Sequence, residues 1–474
     1  MKIKMFFALA LSFVLVLFSS VPVSANSAQT YWQGVSASGA LISEDECPIV
    51  VEHELLTFDL QNFPPNYYDR ETFDYNGSVT AKYTFKNPAD YKVTATLAFP
   101  FGTYPSYIHD YYYNSEIPEY NDKPFIDTEK YAVTVNGEEI EKQLRHTYIS
   151  SDYSNSDLEK ISDSYIADSF FRPDLTVTKY SYKAQGITKE NSSAYASFRL
   201  NADESKTKTL MQPNSGYDYH DGKATAGTWV DNGTLITIFA IGEPYQIAPV
   251  FTVYDSGREE TSVAGEIVLL STETLTYEEL VFTNYDETRG VSKVDWYNAI
   301  VDMQSSVNTE SGMLLDGNAM LTLSRDSLMR WYIYEITLEP GETIVNEVKV
   351  PVYPDIDGNF EPAVYGYTYL LSPAKTWKSF GKLDIKVNTP YYMIESNNGL
   401  LAEKDGVYSV SLNGLPDGEL NFKLSESENP EKISSGYFLP IEIIISFSVI
   451  AAVIVVITVA AVLIRKKIKR KTEN

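Results

Sequence analysis

The chain has 474 residues, a formal net charge of −26 and one cysteine. This length exceeds what one ordinary hydrophobic core supports, so two or three domains are expected. The acidic balance excludes nucleic acid as a favoured partner, because nucleic-acid-binding surfaces are basic. The single Cys47 cannot form an internal disulfide. We expect a buried thiol there, with a bridge between two chains as the alternative.

The N-terminus has the order of a secretory signal. Lys2 and Lys4 precede an apolar stretch from Met5 to Phe18, and Val23-Ser24-Ala25 supplies the small residues of a cleavage site. We predict cleavage near Ala25, with an uncleaved anchor as the alternative. Cleavage would place the rest of the chain outside the cytoplasm.

The region that follows has the two-residue period of strands. Apolar and polar residues alternate from Val79 to Phe85 and again from Val93 to Phe99, and Asn87-Pro88-Ala89-Asp90 turns the chain between them. Asn136-Gly137 favours a tight hairpin turn, because both residues tolerate positive φ. Glu339-Pro340-Gly341-Glu342 separates two further apolar runs. The pattern predicts a mainly β fold with two or three β-sandwich-like units.

One helix interrupts the strands. Ser292 is a suitable cap, and Val294, Tyr297 and Ile300 fall on one face of a helix over about residues 292–304. A shorter helix is predicted at residues 277–280. We expect these helices to cover a sheet edge or face.

Three strand-like runs resemble the vault/inter-alpha-trypsin module: Val79–Pro88, Leu97–Gly102 and Val133–Gly137. That module pairs a strand ending in an aromatic-x-Asn sequence with an apolar strand ending in proline, followed by a strand and an Asn-Gly turn. The resemblance covers about residues 77–140 and implies a β-sandwich. The family usually continues into an adhesion domain with an Asp-x-Ser-x-Ser metal loop. This chain has no such loop, so no binding residues are carried over.

The searched catalytic motifs are absent. His53-Glu54-Leu55-Leu56-Thr57 begins like a zinc-protease helix, but Thr57 stands where the second histidine ligand is needed, and the apolar neighbours predict a strand. The chain has no Gly-x-Ser-x-Gly elbow and no phosphate-binding Gly-rich loop. We therefore predict no catalytic residues and favour a non-enzymatic role.

Two candidate binding sites remain. Asp355, Asp357 and Asn359 offer oxygen ligands at alternating positions around a glycine, so calcium is the candidate metal, although position twelve is Gly366 rather than glutamate. An ordinary turn between strands is the alternative. No other cofactor is predicted.

The second candidate is a tyrosine-rich segment. It contains four tyrosines that aromatic stacking on sugars or proteins would use, namely Tyr107, Tyr111, Tyr112 and Tyr113. A long loop packed on its own rings, or an extra strand, is the alternative.

The C-terminus predicts a membrane anchor. The uncharged stretch Ile443–Ile464 is long enough to cross a bilayer as a helix, and we place the full span at residues 438–464. Leu439-Pro440 begins like a wall-sorting signal but lacks the following Thr-Gly, which favours a retained helix. A basic cluster follows and predicts a cytoplasmic C-terminus. It consists of Arg465, Lys466, Lys467, Lys469, Arg470 and Lys471.

These signals give a single-pass cell-membrane protein with its N-terminus outside. The acidic, cysteine-poor composition is typical of a Gram-positive bacterial surface protein. We predict a surface binding or structural module whose partner is a cell-wall polymer or a surface protein. An enzyme with an acid pair and an accessory subunit of a membrane complex are the alternatives.

The predicted segments are a signal (1–25), an N-terminal β domain (26–200), a middle domain with the helix (201–350), a C-terminal β unit (351–424), a polar stalk (425–437), the span (438–464) and a tail (465–474).

Overall fold

The structure is a computed structural model of the chain. It describes residues 37–38, 41–42, 47–61, 63, 77–102, 132–148, 159–188, 193–201, 203, 205–220, 222–287, 290–306, 328–397, 399, 401–402 and 407–433. The chain divides into two compact units, one of residues 1–358 and 362–430 and one of residues 359–361 and 431–474.

The described residues form a mainly β structure with several sheets and two α-helices. The strands in chain order are β1 (Ala37–Ser38), β2 (Leu41–Ile42), β3 (Val50–Asp59), β4 (Ser78–Lys86), β5 (Val93–Pro100), β6 (Ala132–Val135), β7 (Glu138–Glu139), β8 (Gln143–Tyr148), β9 (Thr176–Gln185), β10 (Ala194–Asn201), β11 (Thr207–Gln212), β12 (Gly216–His220), β13 (Lys223–Val230), β14 (Leu235–Gly242), β15 (Phe251–Tyr254), β16 (Glu266–Thr276), β17 (Leu328–Leu338), β18 (Thr343–Pro351), β19 (Asp355–Asp357), β20 (Phe360–Glu361), β21 (Val364–Leu370), β22 (Phe380–Asn388), β23 (Tyr392–Ser396), β24 (Leu401–Ala402), β25 (Val407–Asn413), β26 (Leu420–Ser425) and β27 (Glu431–Lys432). The helices are α1 (Tyr277–Val281) and α2 (Lys293–Ser306), and a 3-10 helix covers Ser372–Thr376.

Three sheets of the first unit share one hydrophobic core. Sheet A has the order β1-β21-β26-β23 with β19 on β21, sheet B has the order β2-β5-β17-β8, and sheet C has the order β24-β25-β22-β3-β4-β18-β6-β7. Alternate residues of their strands enter the core, as with Val79, Ala81, Tyr83 and Phe85 of β4. Cys47 packs against this core and is partly buried.

Two more sheets form a second layered core. Sheet D has the order β11-β14-β9-β16, and sheet E has the order β12-β13-β10-β15. Because side chains alternate along a strand, β14 buries both of its faces. Ile236 and Ile238 pack in the core shared with sheet E, whereas Phe239 and Ile241 pack with α1 and α2. The two helices therefore cover a sheet face, as the sequence predicted.

The predicted local elements are present. β4 and β5 flank the turn that follows Asn87, and Asn136 and Gly137 form a turn with φ of 52° and 85°. His53 lies in a strand rather than a zinc-binding helix. Ser292 accepts a hydrogen bond from the Asp295 backbone N–H at 3.0 Å, which confirms the predicted cap of α2.

Several strands pair with partners that are distant in sequence. β17 pairs with β5 and β8, β18 pairs with β4 and β6, and β22 runs parallel to β3. Residues near 50–150 therefore share sheets with residues near 330–390, and sheets D and E are built from the stretch between them. Apolar periodicity reports a buried face but not which strand will pair with it, so only the fold could show this arrangement.

The second unit is described at residues 359–361 and 431–433. β20 pairs with β27 in antiparallel register, so Glu431 and Lys432 of the predicted stalk form a short strand. In the described part of the chain, no helix combines the length and the apolar character that a bilayer crossing requires. The predicted span and basic tail lie outside the described residues.

Glu54 is an unusual member of the first core. It lies on β3 with no exposed surface, and within the described residues neither of its carboxyl oxygens makes a hydrogen bond in good geometry. Burial raises the pKa of Glu54 to about 8, against a smaller lowering by the Tyr83 hydroxyl beside it. In the same cross-strand row, Asn346 is satisfied, because it accepts from the Tyr334 hydroxyl at 2.9 Å and donates to the Thr134 carbonyl at 3.0 Å.

Candidate functional site

The predicted binding residues are only partly within the described chain. Tyr107, Tyr111, Tyr112 and Tyr113 lie outside it, so the tyrosine segment stays a prediction. Asp355 and Asp357 lie two residues apart on β19, a strand rather than a loop, and Asn359 belongs to the other unit. Among the described residues, no group of three or more histidine, cysteine or acidic side chains could hold a metal ion. Calcium also stays a prediction.

A cleft next to α2 is the strongest candidate site in the described chain. It encloses about 340 Å³ between β8, the segment 159–166 and α2. We call it the α2 cleft. Its lining residues are His146, Thr147, Tyr148, Glu159, Lys160, Ile166, Asn298, Ala299 and Asp302.

The position of α2 follows from its two faces. Tyr297, Ile300 and Val301 are fully buried in the core shared with sheet D. Polar residues recur three and four positions apart on the remaining surface, at Asp295, Asn298 and Asp302. The apolar face anchors the helix, and the polar stripe is thereby turned to β8 and the segment 159–166.

Asp295 joins α2 to β8. Its carboxylate is 2% exposed and accepts from Nε and Nη2 of Arg145 at 3.0 and 2.9 Å. It also accepts from the His146 backbone N–H at 3.0 Å. Partial burial lowers the pKa of Arg145, but the hydrogen bonds and charges of Asp295 and Asp163 outweigh it and raise that pKa. The bidentate geometry fixes both the helix and the strand.

His146, in the lining of the α2 cleft, lies opposite a buried arginine. His146 is directly opposite Arg330 in the register of β8 and β17, so the two side chains leave the sheet on the same face. Arg330 is 2% exposed, donates from Nε to the Gly102 carbonyl at 3.0 Å and lies 4.7 Å above the Phe101 ring. His146 is also buried, with Nδ1 3.9 Å from the Asp295 carboxylate.

The walls of the cleft are tied to each other by polar contacts. Lys160 Nζ lies 2.9 Å from Asp302 and donates to the Tyr148 carbonyl at 3.3 Å. Asn298 accepts from the Ile166 N–H at 2.9 Å and donates to the Ser164 carbonyl at 3.1 Å. These contacts hold the segment 159–166 against α2.

Tyr148 completes the wall as a hydrogen-bond donor. Burial first, and then the charge of Asp302, raise the pKa of Tyr148, so its hydroxyl keeps its proton. The lining contains no serine or cysteine, and Thr147 already accepts from the Trp331 indole N–H at 2.8 Å. The described cleft therefore offers donors and acceptors but no activated nucleophile of the usual hydroxyl or thiol kind.

Arg145, Lys160, Asn298 and Asp302 were not predicted as site residues. The available signal was the recurrence of polar residues three and four positions apart along the predicted helix, at Asp295, Asn298 and Asp302. The partners on β8 could not be found this way, since they lie about 150 residues away in sequence.

Comparisons with known proteins leave the family open. No family model matches the chain, and no curated protein matches it. Among solved structures, the chain is similar to a candidate nutrient-binding protein from Legionella pneumophila, with 12% identity over 83% of this chain and 72% of that chain. The TM-score of 0.32 is too low to carry an argument about fold or function.

Proposed function

We propose that this chain is a membrane-anchored extracytoplasmic protein whose β region binds a cell-wall polymer without chemical turnover. The α2 cleft is the proposed contact site. The signal sequence, the apolar stretch Ile443–Ile464 and the basic tail support the placement. A surface protein is the competing partner.

The observation that carries the binding role is the set of fixed polar side chains in the lining of the α2 cleft. Its volume of about 340 Å³ lies within the range of small-ligand sites, roughly 300–1,000 Å³. Lys160, Asp302 and Asn298 are each held by a neighbouring group before any ligand arrives. A site that is ordered in advance loses less entropy on binding. Mixed donors and acceptors suit the hydroxyl and amide groups of a wall polymer.

The direct test is sedimentation of the full-length chain, in lipid nanodiscs, with purified peptidoglycan. We expect the wild type to sediment with the polymer and the double variant Glu159→Ala, Lys160→Ala to bind about tenfold more weakly, because a hydrogen-bonding rim is lost. Lys349→Ala is the matched control, since Lys349 lies exposed on sheet C. Absence of wild-type binding, or equal binding by both variants, would contradict the proposal.

The tyrosine segment provides a separate arm of the same experiment. Replacing Tyr111, Tyr112 and Tyr113 with alanine tests the predicted stacking surface. If this triple variant loses polymer binding while the cleft variant keeps it, the tyrosine segment is the contact site instead. If the wild-type chain binds a surface protein and does not bind peptidoglycan, the proposed partner changes from a wall polymer to a protein.

A second candidate function rests on the two carboxylates of the cleft. Glu159 and Asp302 both line it, and glycoside hydrolysis uses a pair of carboxyl groups. Asp302 is paired with Lys160, which favours a binding role for this carboxylate. Release of reducing ends from peptidoglycan that disappears in both Glu159→Gln and Asp302→Asn would replace the binding proposal with a hydrolase.

A further inference from the structure

The outer face of sheet A carries a cross-strand row of charged residues with a gap in it. In the strand register, Asp355 of β19 lies opposite Gly366 of β21, Gly366 lies opposite Lys423 of β26, and Lys423 lies opposite Glu395 of β23. Neighbours such as Tyr367 and Phe422 are buried on the inner face, so the row faces outward. We call this row and the depression at Gly366 the sheet A trough.

Gly366 creates the depression because it brings no side chain between the acid and the lysine. A cavity of about 190 Å³ lies there and reaches Thr368, Asn397 and Asn421. A β-carbon added at Gly366 would meet the nearest Asp355 atoms at 3.7 and 3.8 Å, which is ordinary contact. The glycine is therefore not required by a backbone clash, and its effect is to leave space.

Asp355 brings a partly buried carboxylate to the trough. Oδ1 of Asp355 is buried and has no hydrogen-bond partner among the described residues. Burial first, and then the charge of Asp357, raise the pKa of Asp355 to about 6, against smaller lowering by a hydrogen bond from the Ile356 backbone and by the charge of Lys423. The Asp355 side chain lines the trough, and its carboxylate can accept a hydrogen bond from a ligand hydroxyl.

The other polar groups of the trough are already positioned. Lys423 Nζ lies 2.7 Å from Glu395, and the Thr368 hydroxyl donates to Asn421 Oδ1 at 2.8 Å. The Asn421 backbone N–H donates to Asn397 Oδ1 at 2.9 Å. The result is a small hollow in which carboxylates, an ammonium group and amides lie side by side.

We propose that the sheet A trough binds one unit of a neutral, hydroxyl-rich ligand, a single sugar ring. A hydroxyl both donates and accepts, so adjacent hydroxyls can meet Asp355 and Lys423 at once. The volume is below the roughly 300 Å³ of drug-sized sites, which suits one ring rather than an extended chain. The carboxylates disfavour an anionic ligand, and Lys423 opposes a simple cation site. This inference does not depend on the α2 cleft.

The test uses the full-length chain in lipid nanodiscs, which avoids sugar-based detergents. Saturation-transfer NMR and titration with D-glucose, D-galactose and N-acetyl-D-glucosamine measure binding at millimolar concentrations. We expect one of these sugars to bind. Asp355→Asn should weaken that binding about tenfold, because the charged acceptor is lost while the shape is kept. Gly366→Val should remove it by filling the hollow.

Two further variants keep the test decisive. Asp357→Asn changes a neighbouring carboxylate on the same strand that does not line the trough, so binding should stay within about threefold of wild type. Gly366→Ala adds only a β-carbon at contact distance, so it folds if the valine variant does not, and it should also weaken binding.

Three results would overturn the proposal. These are no binding of any of the three sugars, sugar binding unchanged by Asp355→Asn, and binding of calcium alone. In the last case Asp355→Asn and Asp357→Asn would both reduce calcium affinity, and the predicted calcium role would replace the sugar site. Peptidoglycan binding that depends on the α2 cleft would persist in the trough variants, so failure here is separable from failure of the proposed function.

Discussion

Glu54 in the first core and Asp295 beside the α2 cleft are both withdrawn from water, and they differ in what surrounds them. Asp295 accepts from the Arg145 guanidinium and the His146 backbone N–H. Glu54 has Tyr83 beside it but no hydrogen bond in good geometry to either carboxyl oxygen. Asp295 is fixed by an ion pair and hydrogen bonds, whereas Glu54 is fixed by the side chains that pack around it.

The difference shows two uses of a buried acid. A paired carboxylate fixes the elements that it joins, and here these are β8 and α2, the walls of the cleft. An unpaired carboxyl stays neutral when its pKa is high, and its ionisation opposes folding. The first kind builds a site, and the second makes the stability of a core depend on pH.

The largest expected effect concerns the titration of Glu54. Its pKa is raised from 4.5 to about 8 in the folded state, so unfolding releases a proton between those pH values. Its contribution is fully present below pH 4.5 and is lost as pH rises through about 8. The free energy of unfolding should fall by about 1.4 kcal/mol per pH unit in this window, roughly 5 kcal/mol in total. Urea unfolding of the full chain at a series of pH values measures this slope.

Glu54→Gln should flatten that pH slope, because the side chain keeps its shape and cannot ionise. Glu52→Gln is the matched control on the same strand, since Glu52 is exposed and pairs with Lys86 at 3.2 Å. Identical slopes for wild type and Glu54→Gln would show that Glu54 is not the titrating group and would remove the contrast with Asp295.

The second-largest expected effect is the loss of stability when the ion pair between Arg145 and Asp295 is broken. Arg145→Met leaves Asp295 buried without its cation, which should cost about 3–5 kcal/mol of unfolding free energy. Asp163→Asn removes only a partner that is 95% exposed, so it should cost less than about 1 kcal/mol. Chemical denaturation at neutral pH compares the two.

The double variant Arg145→Met, Asp295→Asn sharpens the interpretation. It removes the buried charge together with its partner, so it should recover part of the stability lost in Arg145→Met. A double variant as unstable as the sum of the single ones would mean that packing, rather than the unpaired charge, causes the loss.

The smallest expected effect is the loss of stability in acid when Asp384, a hydrogen-bonded carboxylate near the surface, becomes protonated. Partial burial raises the pKa of Asp384, but hydrogen bonds from Lys382, Ser411 and His53 outweigh it and lower that pKa from 3.8 to about 2. Its stabilisation is present above pH 3.8 and is lost as pH falls through 2. Solvent screening limits it to roughly 1 kcal/mol. Acid unfolding of Asp384→Asn should lack this component, and an unchanged acid limb would contradict the assignment.

Much of the local structure could be predicted from the sequence. The alternation in Val79–Phe85, the Asn136-Gly137 turn and the Ser292 cap depend on neighbours within a few residues, and all three are present. Pairing between distant strands could not be predicted in this way. β17 joins β5 and β8 across about 200 residues, and periodicity contains no information about partners.

The candidate sites show the same limit more strongly. Asp355 was predicted as a ligand from its spacing, but its relation to Gly366 and Lys423 exists only through the register of three strands. Lys160 and Asp302 meet only because α2 packs on sheet D with its polar stripe turned to the segment 159–166. Chemistry of this kind is assembled by contacts between distant residues.

The sequence by itself determined the strand and helix periods, the turn positions and the prediction of a secreted, membrane-anchored chain. These properties depend on residues close together, where backbone geometry and local hydrophobicity act directly. The tertiary structure alone decided which strands share a sheet and where the α2 cleft and the sheet A trough lie. It also decided that Glu54 is buried beside the Tyr83 hydroxyl while Asp295 is paired with Arg145. Burial and electrostatic pairing are properties of residues brought together by folding, and the order of the chain does not specify them.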